Sequence, residues 1–220
     1  TRFCQVTGVQ TCALPIFGDG INVVRLQLRK NDYYGKSKEQ NPTNYSPTGY
    51  LVKKWCMPYF ERDKAYLDDY PFSNVRLADL YLMAAEALIE KGGDADIALA
   101  KTYIDKIRKR AGLKGVDESW AAVGKNVDKR LLRKIVRQEI QSEFFIENHR
   151  FYDLRRWLVA KQVYTRKPLG LNVDGITDED FFKVVEVDRN MNFENKHYLM
   201  PIPQKDINIS SKLKQNPGWK

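Results

Sequence analysis

The chain has 220 residues, of which 43% are hydrophobic and 30% charged. This composition is typical of a globular protein rather than a disordered one, and the length suffices for one hydrophobic core and is marginal for two. The formal net charge is +9, but Lys and Arg are interleaved with Asp and Glu along the same segments. That pattern disfavours a nucleic-acid-binding protein, in which positive charge is concentrated on one face or arm. No stretch approaches the roughly 20 consecutive apolar residues that span a bilayer.

The first quarter of the chain predicts short strands and a long loop. Apolar residues alternate between residues 21 and 30, which is a strand pattern. Residues 31–49 are rich in Asn, Pro, Ser, Thr, Gly and Tyr and are predicted to form a loop. Residues 50–57 form a second strand-like run, which Pro58 ends.

A helical hairpin is predicted next. The first helix should begin at Ser73 or Asn74 and end at Gly92-Gly93, and the second should run from Asp94 or Asp96 to Gly112. The predicted buried stripes are Leu77, Tyr81, Ala84 and Leu88 on the first helix, and Ile97, Ala100, Ile104, Ile107 and Ala111 on the second. The pair has about the length of a tetratricopeptide-type unit, without its consensus.

Two further helices are predicted at residues 128–147 and 150–160. The third helix would bury Leu131, Leu132, Ile135, Val136, Ile140 and Phe144. A strand is predicted at residues 182–187, and the prolines at 201 and 203 favour an extended segment there. The predicted fold class is therefore mainly α, with tetratricopeptide-like helix pairs, long irregular loops and a few short strands.

Three acidic residues, Glu139, Glu143 and Glu147, are spaced four apart and would share one side of the third helix. Such a cluster could bind a metal ion or form the carboxylate pair of a glycosidase. It could equally pair with nearby arginines and join helices. We favour the second, structural interpretation. The candidate partners of the glutamates are Arg137, Arg150, Arg155 and Arg156.

No catalytic or cofactor-binding motif is recognisable. His149 and His197 lie in no triad-like arrangement, and the sequence contains no Gly-rich phosphate loop, H-E-x-x-H or C-x-x-C. Cys56 is the one cysteine beyond residue 16, which supports neither a disulfide framework nor a metal cluster. We therefore predict a protein that is not an enzyme, without catalytic residues, metal or cofactor.

Aromatic side chains suggest a ligand-binding role instead. Five of them lie in the loop-rich first quarter: Tyr33, Tyr34, Tyr45, Tyr50 and Trp55. Exposed rings can stack on the apolar faces of sugars while their polar tips bond hydroxyl groups. The alternative is that these rings anchor the loops to the helices.

Several motifs, in the right order over residues 48–219, resemble those of the SusD/RagB family. They are Thr48-Gly49-Tyr50 with Lys53-Lys54-Trp55, Arg76-Leu77-Ala78-Asp79-Leu80-Tyr81-Leu82 with Ala84-Ala85-Glu86-Ala87, Ile107-Arg108-Lys109-Arg110-Ala111-Gly112-Leu113, Glu139 and Glu143 through Asp153-Leu154-Arg155-Arg156-Trp157, Pro201-Ile202-Pro203 and Gln215-Asn216-Pro217-Gly218-Trp219. The chain departs from the family pattern in three places, where Asp79 replaces a Glu, Ile140 an Arg and His149 a Gly.

The resemblance implies a surface-exposed lipoprotein of the outer membrane. Such a protein captures oligosaccharides, or peptides in some members, for a TonB-dependent transporter of the SusC type. The matched helix residues would form a structural salt-bridge network, namely Glu86, Arg108, Glu139, Glu143, Arg150 and Asp153. The alternatives are a helical-repeat scaffold for protein–protein interaction and an all-helical glycoside hydrolase.

Residues 1–16 are interpreted as foreign to the fold. Val6 to Ile16 resemble the in-frame translation of a sequencing-library adapter, and such segments are excluded from fold reasoning. Residues 17–220 are then expected to be the C-terminal part of a SusD/RagB-like domain. The lipid anchor and the first helical repeats would lie upstream.

Overall fold

The structure is a computed structural model that describes residues 9–10, 15–17, 24–25, 28–32, 34–37, 43–52, 54, 73–189, 191–210 and 212–219. These residues are mainly helical, with short strands and long irregular segments, which confirms the predicted fold class. They belong to two compact units. The first contains residues 52, 54 and 73–149, and the second contains residues 28–51 and 150–219.

The elements follow one another in a simple order. The helices are α1 (Leu77–Lys91), α2 (Asp94–Arg110), α3 (Val116–Ala121), α4 (Lys129–Glu143), α5 (His149–Arg156), α6 (Ala160–Tyr164), α7 (Asp178–Phe181) and α8 (Gln204–Ile209), with a 3-10 turn at Asn195–Tyr198. The strands are β1 (Val9–Gln10), β2 (Pro15–Phe17), β3 (Val24–Arg25), β4 (Leu51–Val52), β5 (Leu169–Leu171) and β6 (Val184–Glu186). Among the described helices, none is long and apolar enough to cross a membrane.

In the first unit, α1 packs against both α2 and α4. The first helix of the hairpin ends where predicted. Gly92 has a φ of 80°, and its N–H donates to the carbonyl oxygen of Leu88 at 3.0 Å. The predicted stripes of α2 and α4 are confirmed for most of their residues. Ala100, Ile104 and Ile107 of α2 and the predicted residues from Leu132 to Phe144 are buried, whereas Ile97, Ala111 and Leu131 are partly buried.

The predicted buried stripe of α1 is wrong by one residue. The buried residues are Ala78, Leu82, Ala85 and Ile89, whereas Leu77 is 60% exposed. The helix is apolar on most of its circumference, so the 3.6-residue period fits several neighbouring stripes equally well. Packing against two helices decides which one is buried.

The third predicted helix ends earlier than expected. α4 stops at Glu143, and residues 144–148 form turns in which Ile146 and Asn148 have φ values of 59° and 64°. These left-handed backbone conformations are incompatible with a continuing helix. Glu147 therefore follows α4 instead of extending the helical row of Glu139 and Glu143.

The second unit is built around a small sheet and two hydrophobic clusters. Strand β5 pairs antiparallel with β6, so the strand predicted at residues 182–187 is confirmed in its central part. Leu28, Leu171 and Phe181 form one cluster, on which Tyr50 and Leu51 pack. The other cluster contains Leu154, Ala160 and Phe193 and is covered by Tyr164 and Tyr198.

Candidate functional site

Three of the five predicted ligand-binding aromatics lie among the described residues. Tyr34 is 42% exposed, Tyr45 is partly exposed, and Tyr50 packs against the cluster of Leu28, Leu171 and Phe181. Tyr33 and Trp55 lie outside the described residues. The position of Tyr50 agrees with an anchoring role, whereas Tyr34 and Tyr45 remain candidates for contact with a ligand.

The loop that carries Tyr34 and Tyr45 is tied down by charged side chains. Nζ of Lys36 lies 5.9 Å from the centre of the Tyr45 ring and donates to Oδ2 of Asp174 at 2.9 Å. Gly35 is required at its position, because a Cβ there would lie 1.8 Å from the carbonyl oxygen of Arg29. Lys36 therefore links the described segments that carry Tyr34 and Tyr45, and Asp174 holds it in the second unit.

The acidic residues of α4 and of the turn after it are engaged by cations from other elements of the first unit. Arg76 donates to Glu143 from Nη1 at 2.8 Å and to Glu147 from both Nε and Nη2. Arg110 reaches both carboxylate oxygens of Glu143. Lys54 donates to the carboxylate of Glu147 and to the carbonyl oxygens of Glu143 and Phe145. The cluster joins the segment before α1, the end of α2 and the end of α4.

Glu139 forms a separate buried pair with Arg108. The guanidinium group of Arg108 bonds the Glu139 carboxylate, the carbonyl oxygen of Lys114 and the hydroxyl group of Ser119. Burial raises the pKa of Glu139 above its ordinary value, against the opposing effect of Arg108. The pair links α2 to α4 in the interior of the unit.

Asp79 connects the start of α1 to the start of α5. Its Oδ2 accepts a hydrogen bond from the backbone N–H of Arg76 at 2.7 Å, and its Oδ1 lies 3.1 Å from Nε2 of His149. The imidazole ring of His149 stacks on Phe144, with 4.2 Å between ring centres. Asp79 thus caps α1 at Arg76, two to three residues later than the predicted cap at Asn74 or Ser73.

The remaining residues of the predicted network lie on α1 and α5. Glu86 is buried in α1. Asp153 is buried in α5 and accepts a hydrogen bond from Nε of Arg156 at 2.8 Å. Arg150 is half-buried, and burial lowers the pKa of its guanidinium group, while Tyr164 and Asp153 oppose that effect.

The partners of the glutamates differ from those expected. Sequence reasoning assigned the glutamates to Arg137 and to arginines of α5, but Arg155 bonds the carbonyl oxygens of Phe151 and His197. The reason is that the chain turns after Glu143. A signal for the true partners was present, because Lys54 and Arg76 both lie in motifs that carry the family resemblance.

The C-terminal motifs bind the preceding extended segment. Nε2 and Oε1 of Gln215 bond the carbonyl oxygen and the N–H of Ile202 at 2.9 and 2.8 Å. Asn216 donates to the carbonyl oxygen of Met200, and the indole N–H of Trp219 lies 3.0 Å from the carbonyl oxygens of Lys196 and Leu199. The segment at Pro201–Pro203 is extended, as predicted.

Among the residues described by the structure, no group of three His, Cys, Asp or Glu side chains has an arrangement that could hold a metal ion. The charged clusters of the first unit pair acids with bases. Their chemistry is that of structural ion pairs between elements.

Comparisons with known proteins agree with this architecture. A family model described as the SusD family matches residues 22–219. The chain is 28% identical over 211 residues to SusD-like protein P25 of Formosa agariphila, and 26% identical over 217 residues to the starch-binding protein SusD of Bacteroides thetaiotaomicron. These matches cover 91% and 96% of the chain but only 36% and 28% of the two relatives.

Solved structures show the same likeness. The structure of the protein BT4246 superposes with a TM-score of 0.76 at 26% identity, over 90% of this chain and 34% of that one. A SusD-like protein from Bacteroides fragilis superposes with a TM-score of 0.65 at 27% identity, over 97% of this chain and 38% of that one. The chain thus spans about a third of the length of its relatives, and over residues 22–219 it belongs to the SusD family.

Proposed function

We propose that the full-length protein captures oligosaccharides without breaking them. The observation that carries this proposal is the family match over residues 22–219, together with a relative that is named a starch-binding protein. Peptides are the second ligand class that the proposal allows. Tyr34 and Tyr45 are the proposed contacts within the described chain, because partly exposed aromatic rings can stack on a sugar ring.

The burial of the α4 glutamates argues against a glycoside hydrolase. The side chains of Glu139 and Glu143 are 10% and 5% exposed, and both accept hydrogen bonds from arginines. A hydrolase needs two carboxyl groups on either side of a glycosidic bond, with the sugar between them. A carboxylate that is buried against a guanidinium group is not available to a polymer substrate.

The proposed setting is the cell surface. We infer that the whole protein is anchored by a lipid upstream of this chain and passes its ligand to a TonB-dependent, SusC-like transporter in the outer membrane. The support is family membership.

Residues 1–16 are proposed to be foreign to the domain, because the family match begins at residue 22. Deletion of residues 1–16 should then leave the melting temperature of the chain unchanged.

A protein-interaction scaffold is the alternative, and one observation favours it. The side of α1 that faces away from its core presents apolar residues to solvent, and Leu77, Leu80 and Met83 are each more than half exposed. An exposed apolar row is typical of an interaction surface. Because the relatives are about three times as long, the same row could instead be covered by other parts of the full-length protein.

A glycan-binding screen tests the proposal. Immobilised neutral and acidic glycans should retain the protein, and Tyr34→Ala with Tyr45→Ala should weaken that retention, while the exposed Tyr152→Ala should not. Retention of no glycan, combined with binding of a partner protein that Leu80→Asp abolishes, would favour the scaffold. Release of reducing sugar ends during incubation would overturn the non-catalytic assignment.

A further inference from the structure

A cavity of about 430 Å³ lies beside the start of α4, in the first unit. Its lining consists of Lys125, Asn126, Asp128, Arg130, Leu131 and Lys134. Except for the partly exposed Leu131, these residues are exposed, so the cavity is open to solvent. It is remote in sequence from Tyr34 and Tyr45, and no motif of the sequence points to it.

Positive charge is concentrated around this cavity. Between residues 125 and 137 the chain carries the cations Lys125, Lys129, Arg130, Arg133, Lys134 and Arg137, against the single anion Asp128. The even interleaving of charges along the whole sequence hides this local excess. Burial of the apolar face of α4 leaves these cations on the remaining faces of the helix.

One set of these cations is neutralised by α1. Arg133 donates to both carboxylate oxygens of Glu90, at 2.5 and 2.6 Å, and Lys129 donates to the backbone carbonyl oxygen of Glu90. Hydrogen bonds from Arg133 are the main cause that holds the pKa of Glu90 below its ordinary value, and the charges of Lys129 and Arg137 add to that effect against burial. These three side chains therefore serve contacts between α1 and α4.

The other set lines the cavity and is not neutralised. Within the described part of the chain, the side chains of Lys125, Arg130 and Lys134 form no hydrogen bond and no ion pair. The carboxylate of Asp128 is occupied locally, since its Oδ1 accepts a hydrogen bond from the N–H of Leu131 at 2.6 Å. Three cations thus converge on one open cavity that contains a single, already bonded, carboxylate.

We infer that this cavity binds the carboxylate or sulfate groups of an acidic oligosaccharide. The inference rests on the proposed function and narrows its ligand class to anionic glycans. Lysine and arginine side chains bind such oxyanions by charge-assisted hydrogen bonds, and the cavity has the size of a small-molecule site. None of the lining residues that the structure describes is aromatic, which disfavours single-stranded nucleic acid, because that ligand is held by base stacking.

The test compares two triple variants of the 220-residue chain. Lys125→Gln, Arg130→Gln and Lys134→Gln together remove the charge of the cavity. The matched control is Lys109→Gln, Arg189→Gln and Lys212→Gln, which removes the same charge from exposed positions elsewhere. Isothermal titration would use oligogalacturonate for carboxylates, a carrageenan oligosaccharide for sulfates, maltoheptaose as the neutral glycan, and oligo-dT as a non-glycan polyanion.

We expect the cavity variant to bind at least one acidic oligosaccharide about tenfold more weakly than the wild type, with the control within about twofold. The acidic oligosaccharide whose affinity falls in the cavity variant shows whether the cavity binds carboxylate or sulfate groups. If both triple variants lost the same affinity for the acidic oligosaccharides, the cavity site would be overturned and glycan capture would stand. The same conclusion would follow if the chain bound maltoheptaose but neither acidic oligosaccharide. An equal, cavity-dependent affinity for oligo-dT would overturn the assignment to glycans. Failure of all three glycans to bind would overturn the cavity site, whereas the capture function proposed for the full-length protein is decided by the glycan-binding screen.

Discussion

Arg76 and Glu147 face each other through two hydrogen bonds, from Nε to Oε2 at 3.0 Å and from Nη2 to Oε1 at 2.8 Å. Nη1 of the same guanidinium group reaches Oε1 of Glu143 at 2.8 Å. A planar guanidinium group can hold two carboxylates in fixed directions, whereas an ammonium group cannot. One arginine before α1 therefore fixes both the last residue of α4 and the turn that follows.

The first prediction concerns the stability that Arg76 provides. Arg76→Ala should lower the free energy of unfolding by about 2–4 kcal/mol, because it removes three hydrogen bonds to two largely buried carboxylates and leaves Glu147 with Lys54 and Glu143 with the exposed Arg110. Arg110→Ala is the matched control. Arg110 also bonds Glu143, but its side chain is 62% exposed against 24% for Arg76, so its loss should cost less than about 1 kcal/mol. Urea denaturation measures the free energy of unfolding of both variants. If the two variants lost the same free energy, the assigned role of Arg76 would be contradicted.

The second prediction concerns the Arg108–Glu139 pair. Arg108→Ala should cost about 3–5 kcal/mol, because Glu139 would be left buried with an uncompensated charge. The double variant Arg108→Met with Glu139→Leu should be more stable than Arg108→Ala, because it removes both charges and fills the space. Urea denaturation should compare Arg108→Ala with the four proteins of a double-mutant cycle, namely the wild type, Arg108→Met, Glu139→Leu and the double variant. If the double variant were as unstable as the sum of its single variants, the two residues would not be coupled.

The third prediction is a pH dependence that Glu147 supplies. Burial alone would raise the pKa of Glu147, but hydrogen bonds and charge from Lys54 and Arg76 outweigh it and hold the pKa below its ordinary value. The carboxylate therefore binds its proton less readily in the folded state than in the unfolded state. Its contribution to stability is complete above the unfolded pKa, about 4.5, and is lost as the pH falls through the folded pKa.

Glu147→Gln isolates this effect. The variant should be less stable than the wild type at pH 7, and the difference should shrink as the pH falls below about 4.5, because wild-type Glu147 becomes neutral there. Glu118→Gln serves as the control, since Glu118 pairs with Lys114 at the surface and should show a small difference throughout. Thermal melts between pH 3 and pH 7 give both curves. A wild-type advantage independent of pH would exclude an electrostatic role for Glu147.

Local patterns in the sequence predict the helices well. The hairpin turn at Gly92 and the buried residues of α2 and α4 follow from glycine placement and from helical periodicity, which are properties of nearby residues. The buried side of α1 could not be predicted, because that helix is apolar almost all round. Only its contacts with α2 and α4 determine that Ala78, Leu82, Ala85 and Ile89 are the buried set.

Ion-pair partners could not be predicted, for a different reason. Glu139, Glu143 and Glu147 pair with Lys54, Arg76, Arg108 and Arg110, which are 31 to 93 residues distant in sequence. Arg108 belongs to the network that the family resemblance predicts, whereas Lys54, Arg76 and Arg110 do not. A search restricted to neighbouring arginines misses such partners. The cationic cavity at Lys125, Arg130 and Lys134 was missed likewise, because charge counted along the whole chain hides an excess on one side of one helix.

The last prediction concerns the clamp between the two C-terminal motifs. The side-chain amide of Gln215 bonds both the N–H and the carbonyl oxygen of Ile202, in the manner of a neighbouring strand. Gln215→Glu keeps the shape and the acceptor but replaces the N–H₂ donor by a carboxylate oxygen that faces the carbonyl oxygen of Ile202. The free energy of unfolding should fall by about 1–3 kcal/mol, because that carbonyl group loses its donor and meets a negative charge.

Acid should partly rescue the Gln215→Glu variant. A protonated carboxyl group regains an O–H donor, and the facing carbonyl oxygen of Ile202 disfavours the carboxylate, so the pKa of the introduced carboxyl group is raised in the folded state. The deficit relative to the wild type should therefore decrease as the pH falls through that raised pKa and be smallest below about pH 4.3. Gln204→Glu is the control, because Gln204 donates to Asn208 on the exposed surface of α8 and should show little deficit at any pH. Hydrogen exchange at the amide of Ile202 provides a local measurement. Unchanged protection of that amide in Gln215→Glu at pH 7 would show that the clamp does not hold the segment.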